Sequence, residues 1–218
     1  MKVLGAAFLL ITVTTVVLPQ TPDPLRFFPH HVGDVWQYRS QFTGRLIGTE
    51  YIDSVRVDSL SRNIFIYFGH SGGGGTNNRY RIDSVGNLYN LNFQPDYIRY
   101  KLYADSGQSW QAGVVNDTVP VIVTVMNVYQ AYVFGILTTV KAFRFVIQNP
   151  PPRQPFWLGT DHLAAGFGLV KIEIEPSDVY YLAAAIIDTV HYGTIISVRE
   201  QSSSPQSFDL LGNYPNPF

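Results

Sequence analysis

The chain is predicted to be all-β, a mainly antiparallel sheet arranged as a sandwich or an open half-barrel, with at most a short helix apart from its leader. Three observations predict this. Apolar and polar residues alternate with period two over much of residues 35–198, which buries one face of a strand and wets the other. The runs are rich in β-branched residues and rings, with 14 Tyr, 14 Phe and 3 Trp in the chain. Turn formers punctuate them, with 18 Gly and 14 Pro among 218 residues.

The N-terminus comes first. Met1 and Lys2 form a short basic start, and residues 3–18 are uncharged and apolar. That run is shorter than the roughly 20 residues a bilayer-spanning helix needs. Pro19, Pro22 and Pro24 then break it, so residues 1–20 are expected to be a signal peptide cut near Gln20, leaving no stable membrane span. The chain has no Cys, which rules out a lipid-attachment cysteine and leaves the apolar core to hold the fold without disulfides. Fifteen Lys and Arg against sixteen Asp and Glu give a formal charge of −1, without the basic excess expected of a nucleic-acid binder. Residues 25–198 are enough for one β-domain that buries on the order of 70% of its unfolded surface.

Within that domain, residues 25–34 lead to a Gly33-Asp34 turn. The strand over 35–42 puts Trp36, Tyr38 and Phe42 on one face and Gln37, Arg39 and Gln41 on the other. Thr43-Gly44-Arg45 is a hairpin turn, and the return strand over 46–58 is expected to face Tyr51, Val55 and Val57 inward against Glu50, Ser54, Arg56 and Asp58. Residues 63–69 are apolar on both faces and belong inside the sheet or between layers. The four glycines 72–75 lack the Gly-Lys-Ser/Thr ending of a phosphate loop and lead into a strand, so they read as a hairpin loop. A second hairpin spans 79–91, and a strand over 96–103 carries Tyr97, Tyr100 and Tyr103.

The long β-branched runs 119–134 and 137–148 are expected at the sheet centre. Four of the seven residues 149–155 are prolines without a backbone donor, which makes that stretch a loop outside any ladder. Residues 156–168 lead into 169–175, where Val170, Ile172 and Ile174 alternate with Lys171, Glu173 and Glu175. Residues 179–198 complete the domain, with Ala183-Ala184-Ala185 the one place where helix propensity competes. A polar Ser-rich linker over 199–207 follows.

The final stretch, 208–218, is extended and punctuated by Pro215 and Pro217. Its Phe208, Leu210, Asn213, Tyr214, Pro215, Asn216, Pro217 and Phe218 resemble the opening of the type A C-terminal sorting domain of the type IX secretion system of Bacteroidetes-like bacteria. The resemblance covers about a twentieth of the chain, and Gly212 stands where that family often has Gln or Glu. It implies that the type IX secretion machinery is a partner and that the chain travels through the periplasm to the outer cell surface or the medium. In that family several dozen further residues follow the motif, so the stretch is expected to be either the start of a truncated sorting domain or a vestigial tail. Phe28-Pro29 with Gly33-Asp34-Val35-Trp36-Gln37-Tyr38, and Gly166-Phe167-Gly168-Leu169-Val170, are similar to segments of exported bacterial β-proteins with no assigned activity. Some of these look like the open half-barrels of periplasmic lipoprotein carriers.

Residues fitted for chemistry are sparse. His30, His31, His70, His162 and His191 show no ligand spacing for zinc, and no Gly-x-Ser-x-Gly elbow or Asp-x-Asp-x-Asp-Gly loop occurs. Asp161-His162 has the composition of half an acid/base pair, whereas Glu173 and Glu175 read as one solvated strand face. No catalytic residue, metal or cofactor is predicted. Tyr97, Tyr100, Tyr103 and Trp110 are the candidate ligand-facing aromatics, suited to a glycan or an apolar ligand. The expectation is a non-catalytic exported module for binding or structure. Its competitors are a carrier with an apolar cavity of several hundred Å³ and, more remotely, a hydrolase.

Overall fold

Every strand pair in the sheet is antiparallel, as period-two alternation with short turns requires. The computed structural model describes residues 22–71, 78–92, 96–149, 153–174 and 178–196. The expected signal peptide 1–20, linker 199–207 and sorting-like stretch 208–218 lie outside the described residues.

In chain order the strands are β1 (Val35–Ser40), β2 (Leu46–Val57), β3 (Ile64–Ser71), β4 (Arg79–Ile82), β5 (Asn87–Asn90), β6 (Ile98–Lys101) and β7 (Ser109–Val115). They continue with β8 (Val119–Val133), β9 (Ile136–Ile147), β10 (Phe156–Ala164), β11 (Gly168–Ile174), β12 (Asp178–Ile187) and β13 (Val190–Tyr192). They form one sheet in the order β6-β5-β4-β3-β2-β1-β12-β11-β10-β9-β8-β7, with β13 beside β12. The two ends of that path, β6 and β7, are consecutive in the chain, so the sheet curls until they meet. Side chains close the seam. Trp110 Nε1 on β7 donates to the Ile98 carbonyl on β6 at 2.8 Å, and Lys101 lies 5.4 Å from the Trp110 ring centre.

The result is a nearly closed, barrel-like all-β fold, as the alternation predicted. Its interior is filled by fully buried side chains from both halves of the sheet, among them Ile66, Ile82 and Leu88 opposite Val123, Phe143 and Leu163. A 3-10 turn, Pro24–Phe27, is capped by the Asp23 carboxylate and drives fully buried Phe27 into the core. Lys141 Nζ sits 4.9 Å from that ring and donates to the Leu102 and Ala104 carbonyls, each at 2.8 Å.

Four expectations are corrected. Strand β1 ends at Ser40, whose Oγ accepts from the Thr43 amide, so the turn begins early and Phe42 is 76% exposed. On the first half of β2 the facing is reversed, while Val55 beyond it packs on the core as expected: register pairs Ile52 with Phe68 and then Ser54 with Tyr67, leaving Asp53 as a bulge. A bulge shifts the alternation by one residue. Before it Glu50 and buried Ile52 share the inner face with Trp36 and Phe68, while Tyr51 is exposed on the outer face. Strands β8 and β9 lie second and third from one end of the path rather than at its centre. Finally, β7 is a strand over residues where none was expected. Ala183-Ala184-Ala185, where helix propensity competed, are strand residues of β12, with Ala184 and Ala185 paired to β1.

Candidate functional site

Two places concentrate groups able to recognise a ligand, one inside the sheet and one on its outer surface. The inner one begins with β1. Trp36 and Tyr38 point inward, and each is fixed by a hydrogen bond across the fold, from Trp36 Nε1 to the Phe167 carbonyl at 2.7 Å and from the Tyr38 hydroxyl to the Leu169 carbonyl at 3.0 Å. Phe68 lies tilted against Trp36 at 5.8 Å and meets Tyr80 edge-on at 5.4 Å, and Phe28 lies 5.4 Å from Tyr80. With Tyr100 these rings enclose a cavity of about 40 Å³, and Glu50 is its charged wall.

Glu50 is half-buried and makes no hydrogen bond or ion pair among the described residues. Burial raises its carboxyl above the ordinary value, opposed by the nearby His70. His70 sits opposite Glu50 in the register, and its ring lies across Gly48, where a Cβ would fall 2.6 Å from His70 Cε1. Its Nε2 is buried without a partner among the described residues. Asp161, by contrast, is partnered: its Oδ2 accepts from Tyr100 Oη at 2.5 Å and from Arg99 at 2.9 Å. The Arg99 guanidinium lies 4.8 Å from the Phe145 ring centre. Burial, with the charges of Glu50 and then the neighbouring groups, keeps the Tyr38 phenol well above its ordinary range. Burial does the same for Tyr80 and Tyr100.

The outer site is made by the β8–β9 hairpin. A bulge between Val125 and Asn127 bends it, and at its tip Phe134 packs against Phe167 at 6.0 Å and Tyr192 at 5.7 Å. Between the hairpin and β10–β12 lies an open groove of about 330 Å³, walled by Val133, Phe134 and Val170 and bordered by Tyr129, Tyr132 and Tyr181. His162 lies at its polar end. Tyr129 Oη is 3.0 Å from His162 Nδ1, and Nε2 is 3.5 Å from Glu173 Oε1. Nε2 makes no hydrogen bond among the described residues, so the Tyr129 contact is the one hydrogen bond of the ring there, and its direction depends on which nitrogen carries the proton. Burial holds His162 below the ordinary imidazole value, with the Glu173 charge working against it. Glu173 is also pushed up by burial, but its bond to Lys171 brings it below the usual carboxylate value.

Asp161 and His162 thus point to opposite faces of β10, as neighbours on a strand must, and do not form an acid/base pair. The four candidate aromatics are not brought into one groove. Tyr100 is buried and borders the inner cavity, and Trp110 packs on Phe143 at 6.2 Å. Tyr97 borders a separate shallow groove with Arg99, and Tyr103 is exposed. The sorting-like residues Phe208, Leu210, Asn213, Tyr214, Pro215, Asn216, Pro217 and Phe218 lie outside the described residues. Glu50, His70, Tyr129 and Tyr132 are site residues that the alternation did not single out. No group of three His, Asp or Glu able to hold a metal ion occurs among the described residues.

No protein-family model matches the chain, and no curated protein matches it. Two solved structures are similar in outline. One is a provisionally assigned lipoprotein from Parabacteroides distasonis ATCC 8503, with 11% identity and a TM-score of 0.39, covering 72% of this chain and 96% of that one. The other is a provisionally assigned exported protein with a YmcC-like fold from Bacteroides fragilis NCTC 9343, with 12% identity and a TM-score of 0.37 over the same shares. At that level of similarity neither bears on what this chain does.

Proposed function

We propose that the chain is an exported, non-catalytic β-module that binds a glycan or an apolar ligand in the outer groove beside the β8–β9 hairpin. The observation that carries this reading is how the rings are distributed. Those facing inward fill the fold down to a cavity of about 40 Å³, whereas Tyr129, Tyr132 and Tyr181 border an open groove of about 330 Å³. Small-molecule sites run to roughly 300–1,000 Å³, so this inner cavity is too small for an acyl chain, which favours the outer groove over the lipid-carrier alternative. Rings with polar tips suit a half-wet surface.

The non-catalytic part rests on the outer polar triad. His162 bonds to Tyr129, a phenol that burial holds above its ordinary value, and among the described residues no serine or threonine hydroxyl bonds to it. Export rests on the apolar leader and on the sorting-like stretch 208–218, with the type IX machinery as the proposed partner. The test is a thermal-shift screen of the secreted protein against glycans and fatty acids, repeated with Tyr132→Ala and Tyr181→Ala. Saturable stabilisation that both substitutions weaken is the expected result. Turnover of a screened compound, or binding indifferent to both substitutions, would overturn the reading.

A further inference from the structure

We propose that the inner cavity is a second recognition site, an aromatic cage in which Glu50 binds a compact ammonium head group, methylated or primary. Its walls are largely aromatic: Trp36, Tyr38, Phe68, Tyr80 and Tyr100 all border it. A cation over such faces is attracted by the ring quadrupoles, most strongly once water is stripped away. Two of the rings are locked by hydrogen bonds to the Phe167 and Leu169 carbonyls, so the cage is preorganised.

The charge balance calls for a cation. Arg99 and Asp161 are paired at 2.9 Å and cancel, which leaves the Glu50 carboxylate without an ion pair among the described residues, His70 being the basic group whose charge acts on it. Charges drawn out of water are ordinarily paired, and Glu50 is a half-buried carboxylate bordering a ring-lined cavity with no hydrogen-bond donor among the described residues. Size narrows the class. About 40 Å³ holds roughly three water-sized centres, at about 10–15 Å³ each on this measure, which suits a head group of a few heavy atoms and excludes a sugar ring. A carboxylate or phosphate ligand is disfavoured by the charge of Glu50. Glu50 and Tyr80 are only half-buried, so the cavity borders solvent on that side.

Cation binding and the Glu50 proton compete. The titratable and charged groups around Glu50 are Tyr38 from β1, His70 from β3, Tyr80 from β4, Arg99 and Tyr100 from β6 and Asp161 from β10. The three phenols stay protonated through neutral pH, so the carboxyl is the acidic group that ionises to admit the ligand. Affinity for an ammonium ion should therefore rise with pH through the Glu50 titration.

The experiment uses the full chain and follows tryptophan fluorescence and thermal shift with choline chloride and tetramethylammonium chloride. Controls are sodium chloride at equal ionic strength and 3,3-dimethyl-1-butanol, the neutral carbon isostere of choline. The expected result is saturable binding of the ammonium probes, about ten-fold weaker in Glu50→Gln and about ten-fold weaker for the isostere. Three results would each overturn the proposal: equal binding of choline and its isostere, wild-type affinity in Glu50→Gln, or no saturable response below the concentration at which sodium chloride itself shifts the Tm. Unfolding of Glu50→Gln is monitored in parallel, and if that variant is unfolded Glu50→Ala takes its place with the same outcomes.

Discussion

Glu50 and Asp161 are two inward-facing carboxylates in one fold with different hydrogen-bonding surroundings. Asp161 is bonded by Tyr100 and Arg99, whereas Glu50 has no donor among the described residues and is raised by burial. A carboxyl raised in the folded state binds protons more readily there than in the unfolded chain. Its contribution to stability is fully present below the unfolded value and is lost as pH climbs through the folded one. Ionised Glu50 therefore costs stability at neutral pH. Glu50→Gln should match the native protein in urea unfolding near pH 4 and exceed it at pH 8, with an unchanged m-value. Equal midpoints at both values would mean that the carboxylate is already compensated, and the cage would lose its charge argument. A stabilising change that abolishes ligand binding is the usual sign of a residue kept for function.

The β8–β9 hairpin shows how an element can be obvious in sequence while its placement is not. Its length and β-branched content were legible, but residues 119–147 were expected at the sheet centre because long apolar strands usually lie there. The strand order instead puts them second and third from the β7 end, and a bulge at Met126 shifts their register, a single extra residue that nothing in a period-two pattern marks. The same blindness hid Glu50. The alternation of Tyr51, Val55 and Val57 pointed one way, and the Asp53 bulge turned the first half of β2 the other way, putting the site's charged residue inside. Strand β7 escaped notice because Ala112 and Gly113 interrupt its pattern.

Where the hairpin turns, Phe134 and Gly135 both have positive φ, 49° and 81°, a two-residue turn in which Asn-Gly is the favoured pair. A phenylalanine there is strained, and its docking on Phe167 and Tyr192 is what holds it. Phe134→Asn should relax the turn yet destabilise the protein by about 1–3 kcal/mol, since aromatic pairing and part of a core ring are lost. Amide exchange should quicken over residues 127–139 and stay slow over 119–125. A neutral or stabilising Phe134→Asn would show that turn chemistry, not docking, sets the position of the tip and therefore the shape of the groove.

At the scale of the molecule the sheet is held closed by side chains rather than by a ladder. Strand β1 pairs with β12, joining residues from opposite ends of the described chain, so most of the sheet forms only when distant segments meet. The seam between β6 and β7 has no such pairing and depends on Trp110, whose ring packs on Phe143 while its N–H reaches Ile98. The two contributions can be separated. Trp110→Phe keeps a ring on Phe143 and removes the donor, at a cost of about 1 kcal/mol, whereas Trp110→Ala also removes half-buried apolar area and should cost about 2–4 kcal/mol. If the seam opens as a unit of its own, exchange in Trp110→Ala will accelerate at β6 and β7 while the amides of β1, β2 and β12 keep their protection. Uniform acceleration across the sheet would mean that closure and folding are a single event. The inner cage bears on the choice, because Tyr100 belongs to β6 and borders the cavity. A seam that opens independently would expose the cage and make ligand binding and seam closure stabilise each other, so choline should slow exchange at β6 more than at β12.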